Sequence, residues 1–167
     1  MGRYRPPAAK KSPYITAEGY ADLQAELQQL WVRRKDVTQH LAAAAAEGDR
    51  SENAEYIYRK KELREIDYRI RYLQKRMPDL TVVDRVPDNP EQIFFGAWVE
   101  LEDDNGKQLN YRIVGPDELN PQKGYISVDS PMARGLLKKH ADEEVNILTP
   151  EGEINYLILQ VKYSKTS

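Results

Sequence analysis

The sequence predicts an α+β protein in which a long helical hairpin precedes a small antiparallel β-sheet domain. Three observations support this prediction: heptad spacing of apolar residues between Thr16 and Met77, a polar interruption near Gly48, and period-two alternation with frequent turn residues from Leu80 onward. Hydrophobic residues make up 40% and charged residues 31% of the 167 positions. This balance favours an exposed rod beside a modest core over a single large globule.

The first predicted helix begins after Thr16, a residue type that caps helix N-termini, and continues to Gly48. Its apolar positions alternate steps of three and four, and Arg34 fills the one gap without an evident reason. These positions are Tyr20, Leu23, Leu27, Leu30, Val37, Leu41 and Ala44. At 1.5 Å per residue, about 30 residues would extend roughly 45 Å, so much of this helix must face solvent or a partner.

A second heptad pattern follows Gly48 and ends at Pro78, because proline stops a helix. Its apolar positions are Leu63, Ile66, Ile70, Leu73 and Met77, preceded in the same register by Tyr56 and Arg59. Two such segments joined by a few residues predict an antiparallel hairpin over residues 14–79, with an acidic tip at 48–55. An intramolecular hairpin predicts a monomer, whereas a coiled-coil adaptor that pairs through the same positions would be a dimer.

The second half, residues 80–167, is predicted to form the sheet domain with one short helix. Predicted strands are Val82–Val83, Phe94–Leu101, a return strand containing Leu109, Tyr111 and Ile113, Tyr125–Val128, Val145–Leu148 and Ile154–Val161. Asp104-Asn105-Gly106 is typical of a hairpin turn. Ser130 followed by Pro131 predicts the N-terminus of the short helix, which would run through Leu137 and Lys138.

Composition also excludes several classes of function. The chain has no cysteine, which rules out disulfides, thiolate zinc sites and cysteine nucleophiles and fits a reducing, cytoplasmic compartment. No apolar stretch approaches the roughly 18 residues that span a bilayer. Residues 1–13 are basic and rich in proline without the apolar centre of a secretory signal, and we expect them to form a flexible tail.

The acidic tip allows two interpretations. Asp49 followed three residues later by Glu52 matches a capping box, in which Asp49 would cap the second helix. Alternatively, a rod that ends in two nearby carboxylates could share a Mg²⁺ ion with ligands from another macromolecule. Two exposed carboxylates cannot complete an octahedral shell, so such a site would be half of one that a partner completes.

The second helix is strongly basic. From Arg59 to Arg76 it carries eight cations and three carboxylates, a net charge of +5. At about 100° per residue, Lys60, Arg64, Arg71 and Lys75 fall within one stripe away from the apolar seam, and Asp67 interrupts that stripe. The stripe is either a solvated helix face or a surface that contacts phosphates.

Three separated motifs resemble those of the Gre family of bacterial transcript-cleavage factors, in the version found in its GreB branch. They are the tip run Gly48-Asp49-Arg50-Ser51-Glu52-Asn53-Ala54-Glu55-Tyr56, the run Phe94-Phe95-Gly96-Ala97-Trp98-Val99, and the run Ile126-Ser127-Val128-Asp129-Ser130-Pro131-Met132-Ala133-Arg134. The similarity covers about residues 14 to 163. It implies a coiled-coil hairpin that enters the secondary channel of RNA polymerase and an FKBP-like domain that docks at the channel rim.

The resemblance also implies roles for individual residues. Asp49 and Glu52 would help to retain a second Mg²⁺ and to orient the water that hydrolyses backtracked RNA, assisted by Ser51 and Glu55. The factor would have no nuclease activity alone, because the polymerase holds the first ion. A basic patch would engage the 3′ segment of the nascent RNA. In this sequence the patch would consist of Arg59, Lys60, Lys61, Arg64, Arg71 and Lys75. Asn53 and Tyr56 would orient the turn.

Two further alternatives remain open from the sequence. A regulator could enter the same channel without promoting cleavage, although the presence of both Asp49 and Glu52 favours cleavage. An FKBP-like half could also suggest a prolyl isomerase, but a fold alone does not carry an activity.

Overall fold

The computed structural model describes residues 10–47 and 53–163, which divide into two compact units. Glu18–Leu80 forms a helical unit, and the second unit combines the N-terminal segment up to Ala17 with the chain from Thr81 onward. The predicted α+β class, with a helical hairpin followed by a sheet domain, is confirmed. Within the described ranges, no helix has the length and apolar composition needed to cross a membrane.

The helical unit consists of α1, Ala17–Ala46, and α2, Ala54–Arg76, followed by a 3-10 turn at Met77–Asp79. Its buried side chains are those of the predicted heptads, which confirms the seam: Leu23, Leu30, Val37 and Ala44 on α1, and Ile66, Ile70 and Leu73 on α2, with Met77 just beyond. The helices are antiparallel, since Glu26 contacts Arg69 while Ala44 contacts Asn53. Pro78 lies within the 3-10 turn, where the predicted helix end is found.

The sheet unit contains seven strands and one short helix among the described residues. They are β1 Tyr14–Ile15, β2 Thr81–Val82, β3 Trp98–Asp103, β4 Gln108–Val114, β5 Tyr125–Ser127, α3 Pro131–Leu136, β6 Glu144–Thr149 and β7 Gly152–Lys162. Strands β3 to β7 form one sheet in the order β5-β4-β3-β7-β6, and β1 pairs with β2. All pairs of the five-stranded sheet are antiparallel except β4 with β5, which is parallel.

This parallel pair differs from the predicted, wholly antiparallel sheet. Arg112 and Tyr125 are register partners, so β5 starts beside the interior of β4 and runs in the same direction. Residues 115–124 make the return possible, because they contain two 3-10 turns, Pro116–Glu118 and Pro121–Lys123, instead of a tight hairpin.

Several element boundaries also differ from the prediction. β3 begins at Trp98 and not at Phe94, because the N–H of Ala97 donates to the carbonyl of Phe94 in a turn where Gly96 has a φ of +88°. β2 begins one residue earlier than predicted, at Thr81. α3 ends at Leu136, since Lys138 adopts a left-handed φ of +69° that a helix cannot continue.

The core of the sheet unit lies under α3. Its fully buried side chains include Ile93, Val99, Leu101, Ile113, Leu136 and Ile158. α3 begins as predicted, because the hydroxyl of Ser130 accepts the N–H of Ala133 at 3.1 Å. The helix packs closely on β6: a Cβ at Gly135 would lie 3.0 Å from Cγ1 of Ile147.

The segment before α1 is bonded to the sheet unit. The Ser12 N–H donates to the Asp129 carboxylate at 2.9 Å, and both the backbone N–H and the hydroxyl of Thr16 donate to the Glu118 carboxylate. Residues 10–13 were predicted to belong to the flexible tail, residues 1–13, and residues 14–17 to the hairpin, residues 14–79. Both stretches belong to the sheet unit instead, because strand pairing and the carboxylates of Asp129 and Glu118 bind them there.

Gly115 makes this arrangement sterically possible. A Cβ at this position would lie 1.9 Å from the carbonyl oxygen of Tyr14, so β1 can approach only a glycine. We predict that Gly115→Ala lowers the free energy of unfolding of the sheet unit by about 2 kcal/mol or more. Urea unfolding in a Trp31→Phe background, in which Trp98 fluorescence reports on the sheet unit, measures the effect.

Gly106→Ala is the matched control. Gly106 has a φ of +79°, but a Cβ there would meet no atom closer than 3.9 Å. Its cost is therefore backbone strain alone, about 1 kcal/mol. Equal losses in the two variants would show that the approach of β1 to Gly115 is not what matters.

Candidate functional site

The start of α2 is organised by Asn53. Its Oδ1 accepts the N–H of Tyr56 at 3.1 Å, which caps the helix, and its Nδ2 donates to the carbonyl of Ala44 near the end of α1 at 3.0 Å. One side chain thus satisfies a free N–H donor of α2 and adds a hydrogen bond to a carbonyl in the last turn of α1. Asn53 therefore has the structural role expected of it, whereas Tyr56 contributes only its backbone N–H to the cap.

This cap overturns the capping-box interpretation of the tip acids. α2 begins at Ala54, and its N-cap position, which the capping box assigned to Asp49, is held by Asn53. Three predicted site residues, Asp49, Ser51 and Glu52, lie outside the described residues. A capping function for α2 therefore no longer explains why acids stand at positions 49 and 52.

Glu55 is the predicted tip residue that the structure does describe. It lies in the first turn of α2 with its side chain 57% exposed, and its Oε1 is 4.0 Å from Nε of Arg59. Arg59 also contacts Glu62, at 3.2 Å, and its Nε is buried without a hydrogen-bond acceptor among the described residues. Arg59, predicted for the RNA-binding patch, is thus held at the base of the tip by two carboxylates.

Ion pairs between the two helices neutralise some of their acids and cations and leave others exposed. Arg34 on α1 donates to Asp67 at 2.7 Å, which explains the charged residue in the seam, and Arg33 contacts Glu62 at 3.2 Å. Arg69 donates through two nitrogens to Glu26, at 2.7 and 3.0 Å. Partly exposed pairs of this kind stabilise by about 1 kcal/mol or less each, so their main effect is on the charge of the outer surface.

Five other cations of α2 face solvent. Lys60, Lys61, Arg64, Arg71 and Lys75 are exposed and form no ion pair with any residue the structure describes. Lys60 lies over the ring of Tyr56, 5.9 Å from its centroid. The acid that interrupts the predicted stripe, Asp67, is paired with Arg34, so the stripe is electrostatically continuous. We call these five cations the basic face.

The two C-terminal motifs have structural roles in the sheet unit. Phe95 contacts Tyr14, and Trp98 packs edge-on against Tyr125, with ring centroids 5.9 and 5.7 Å apart. Asp129 binds Ser12. These ring contacts give Phe95 and Trp98 packing roles within the sheet unit. No group of three metal-ligating side chains occurs within residues 10–47 and 53–163.

Comparison with known families accounts for both units. Residues 13–82 match the N-terminal model for transcription elongation factors, and residues 87–163 match the model "Transcription elongation factor, GreA/GreB, C-term". The chain belongs to the GreA/GreB family. The two matches cover the helical and sheet units almost entirely, so the resemblance inferred from the three motifs is confirmed.

Individual members of the GreA/GreB family are similar over nearly the whole chain. The chain is 56% identical to transcription elongation factor GreB of Pseudomonas aeruginosa, over 98% of both chains. It is 57% identical to GreB of Xanthomonas axonopodis pv. citri, over 98% of this chain and 99% of the relative. A crystal structure of GreA factor homolog 1 from Thermus thermophilus matches with a TM-score of 0.42 and 25% identity, over 90% of this chain and 99% of that one.

The double role of Asn53 can be separated by substitution. Asn53→Ser keeps an oxygen that can cap α2 but is too short to reach Ala44, whereas Asn53→Ala removes both bonds. We expect stability to fall in the order wild type, Asn53→Ser, Asn53→Ala, with a total loss of about 1–2 kcal/mol. Thermal unfolding followed by circular dichroism at 222 nm provides the measurement. An Asn53→Ser variant as unstable as Asn53→Ala would contradict the separate contribution of the cap.

Proposed function

We propose that this protein binds bacterial RNA polymerase through the secondary channel and stimulates the polymerase's own endonucleolytic cleavage of backtracked nascent RNA. One observation carries the proposal: Asn53 caps α2, so the acids Asp49 and Glu52 are not needed to begin that helix. They stand in the tip run that resembles the Gre signature. Membership of a family of transcription elongation factors supports the same function.

The donor chemistry of the tip fits Mg²⁺ as a shared ion. Carboxylate oxygens are ligands that Mg²⁺ prefers, and two of them leave most of an octahedral shell for other ligands. Asp49 and Glu52 would hold the ion together with ligands of the polymerase, and Ser51 and Glu55 would assist. When bound, a second divalent ion supplies charge stabilisation and an activated water for phosphodiester hydrolysis.

The fold supports a delivery role for the hairpin. α1 has 30 residues, which at 1.5 Å per residue gives a rod of about 45 Å. Its seam residues are buried between the two helices, so the unit is held together by its own apolar contacts. A monomeric hairpin of this kind can carry side chains at one end into a narrow channel.

The basic face supports contact with the 3′ segment of the RNA. Its cations form no ion pair with any described residue, whereas Arg59 and Arg69 are held by carboxylates. Cations that are already paired gain less from a phosphate, since they must first lose their partner. The RNA contacts would therefore come from Lys60, Lys61, Arg64, Arg71 and Lys75 more than from Arg59.

Replacing both tip acids tests the proposed chemistry. We expect Asp49→Asn with Glu52→Gln to bind polymerase as the wild type does but to lose stimulation of cleavage, because amides ligate Mg²⁺ far less strongly than carboxylates. The measurement is the rate of RNA shortening in a stalled, backtracked elongation complex at saturating factor. Glu65→Gln, an exposed acid elsewhere on α2, is the control and should retain full stimulation. Full stimulation by the double variant would refute the role of the tip acids.

A pair of arginines on α2 tests the basic face. Arg64→Gln removes a free cation, and Arg69→Gln removes one that is paired with Glu26. For Arg64→Gln, the dependence of the half-saturating factor concentration on salt should become shallower by about 0.7 logarithmic units per decade, the value for one phosphate of a single strand. Arg69→Gln should leave this slope unchanged and lower the thermal stability slightly. The same slope change in both variants would argue against selective use of the free cations.

A further inference from the structure

Tyr68 is a large, exposed side chain in the middle of the basic face. It is 71% exposed, and its ring has no aromatic or cationic partner among the residues the structure describes. At 100° per residue it lies about 180° from the centre of the apolar seam, so it takes no part in helix pairing. Arg64, four residues before it, and Arg71, three residues after it, are its neighbours on the helix surface.

The other tyrosines of α2 all have partners within the protein. Tyr56 lies under Lys60 and donates its N–H to the cap, Tyr58 faces Arg59, and Tyr72 faces Arg69. Tyr68 has neither a ring partner nor a packing role, and tyrosine forms helices less readily than alanine or arginine. The stability of α2 therefore does not account for a tyrosine at this position.

The surroundings of Tyr68 indicate which ligand its ring suits. A free aromatic ring between two unpaired guanidinium groups can stack on a base while the arginines contact the neighbouring phosphates. Bases are available for stacking in single strands and not in duplexes. Charge complementarity also favours an anionic strand, because Asp67 and Glu62 are neutralised by arginines of α1. Among the described acids of α2, only Glu65 forms no ion pair with a described residue.

We propose that Tyr68 stacks on a base of the single-stranded RNA that is extruded from the backtracked polymerase, with Arg64 and Arg71 on the flanking phosphates. The proposal rests on the proposed function, which brings this strand to the hairpin. Tyr68 lies about 21 Å along α2 from Ala54, at 1.5 Å per residue. At the 3.4 Å spacing of a stacked strand, this distance corresponds to about six nucleotides from the tip.

The separation between tip and ring predicts a dependence on the length of the extruded RNA. In a complex backtracked by about ten nucleotides, Tyr68→Ala should raise the half-saturating factor concentration for cleavage about tenfold, as expected for the loss of one stacked base. In a complex backtracked by two nucleotides, the strand ends before it reaches Tyr68. The variant should then match the wild type.

A double-mutant cycle between protein and RNA isolates the stacking contact. The second change replaces nucleotides four to eight of the extruded segment by abasic nucleotides, which keep the phosphates. Wild-type factor should require about tenfold more protein on the abasic RNA, and Tyr68→Ala should show no difference between the two RNAs. Tyr68→Phe should behave as the wild type, because the ring and not the hydroxyl is used.

Tyr58→Ala is the matched control, since it removes a tyrosine of similar exposure, 63%, from the same helix. It should leave the half-saturating concentration unchanged on both RNAs. Stimulation of cleavage that neither Tyr68→Ala nor the abasic RNA reduces would overturn the stacking contact but not the proposed function. A Tyr68→Ala loss that persists on abasic RNA would also overturn it and would indicate a protein surface as the partner. Absence of any stimulation by the wild type would instead overturn the proposed function.

Discussion

The apolar seam between α1 and α2 is the interaction on which the rest of the helical unit depends. Helices in proteins owe most of their stability to the packing of an apolar face, and each fully buried leucine or isoleucine adds about 1.5–3 kcal/mol. Because Leu23, Leu30, Ile66 and Ile70 are buried in register, every polar side chain of the two helices receives a defined direction. Asn53 then closes the seam at its far end by bonding both helices. A rigid support for the tip follows from these contacts alone.

The seam also sorts the charges of the hairpin. Residues next to the seam, such as Arg34 and Asp67, form ion pairs across the helix interface. The cations of the basic face lie on the far side of α2 and are exposed to solvent. A helix that carries both cations and carboxylates thereby presents a face that is almost purely cationic. Arg59 differs from the cations of the basic face: it pairs with Glu55 and Glu62 and so contributes to the hairpin's own structure. Position relative to the seam, more than residue type, separates the two groups.

Patterns within one element were readable from the sequence, and pairings between elements were not. Heptad spacing predicted both helices, and Ser130 followed by Pro131 predicted the start of α3. The partner of Arg34 lies 33 residues away, and the bond from Asn53 to Ala44 crosses between helices, so no local rule identifies either. Phe94–Ala97 has the apolar composition of a strand, but Gly96 takes a positive φ and turns the chain. The parallel course of β5 depends on residues 115–124, whose turn residues specify a loop without its direction. The family signature marks the acids at positions 49 and 52, but it does not show that Asn53 caps α2 in their place.

The parallel pairing of β1 with β2 has an evolutionary consequence. The chain leaves the sheet unit after Ala17, just beyond β1, and re-enters it at Thr81 in β2, the strand that pairs with β1. The whole hairpin is therefore an insertion between β1 and β2 of the sheet unit. Adding one heptad to each helix would lengthen the rod by about 10 Å while the anchoring strands kept their register. In such an architecture the length of the hairpin can change without altering the sheet unit.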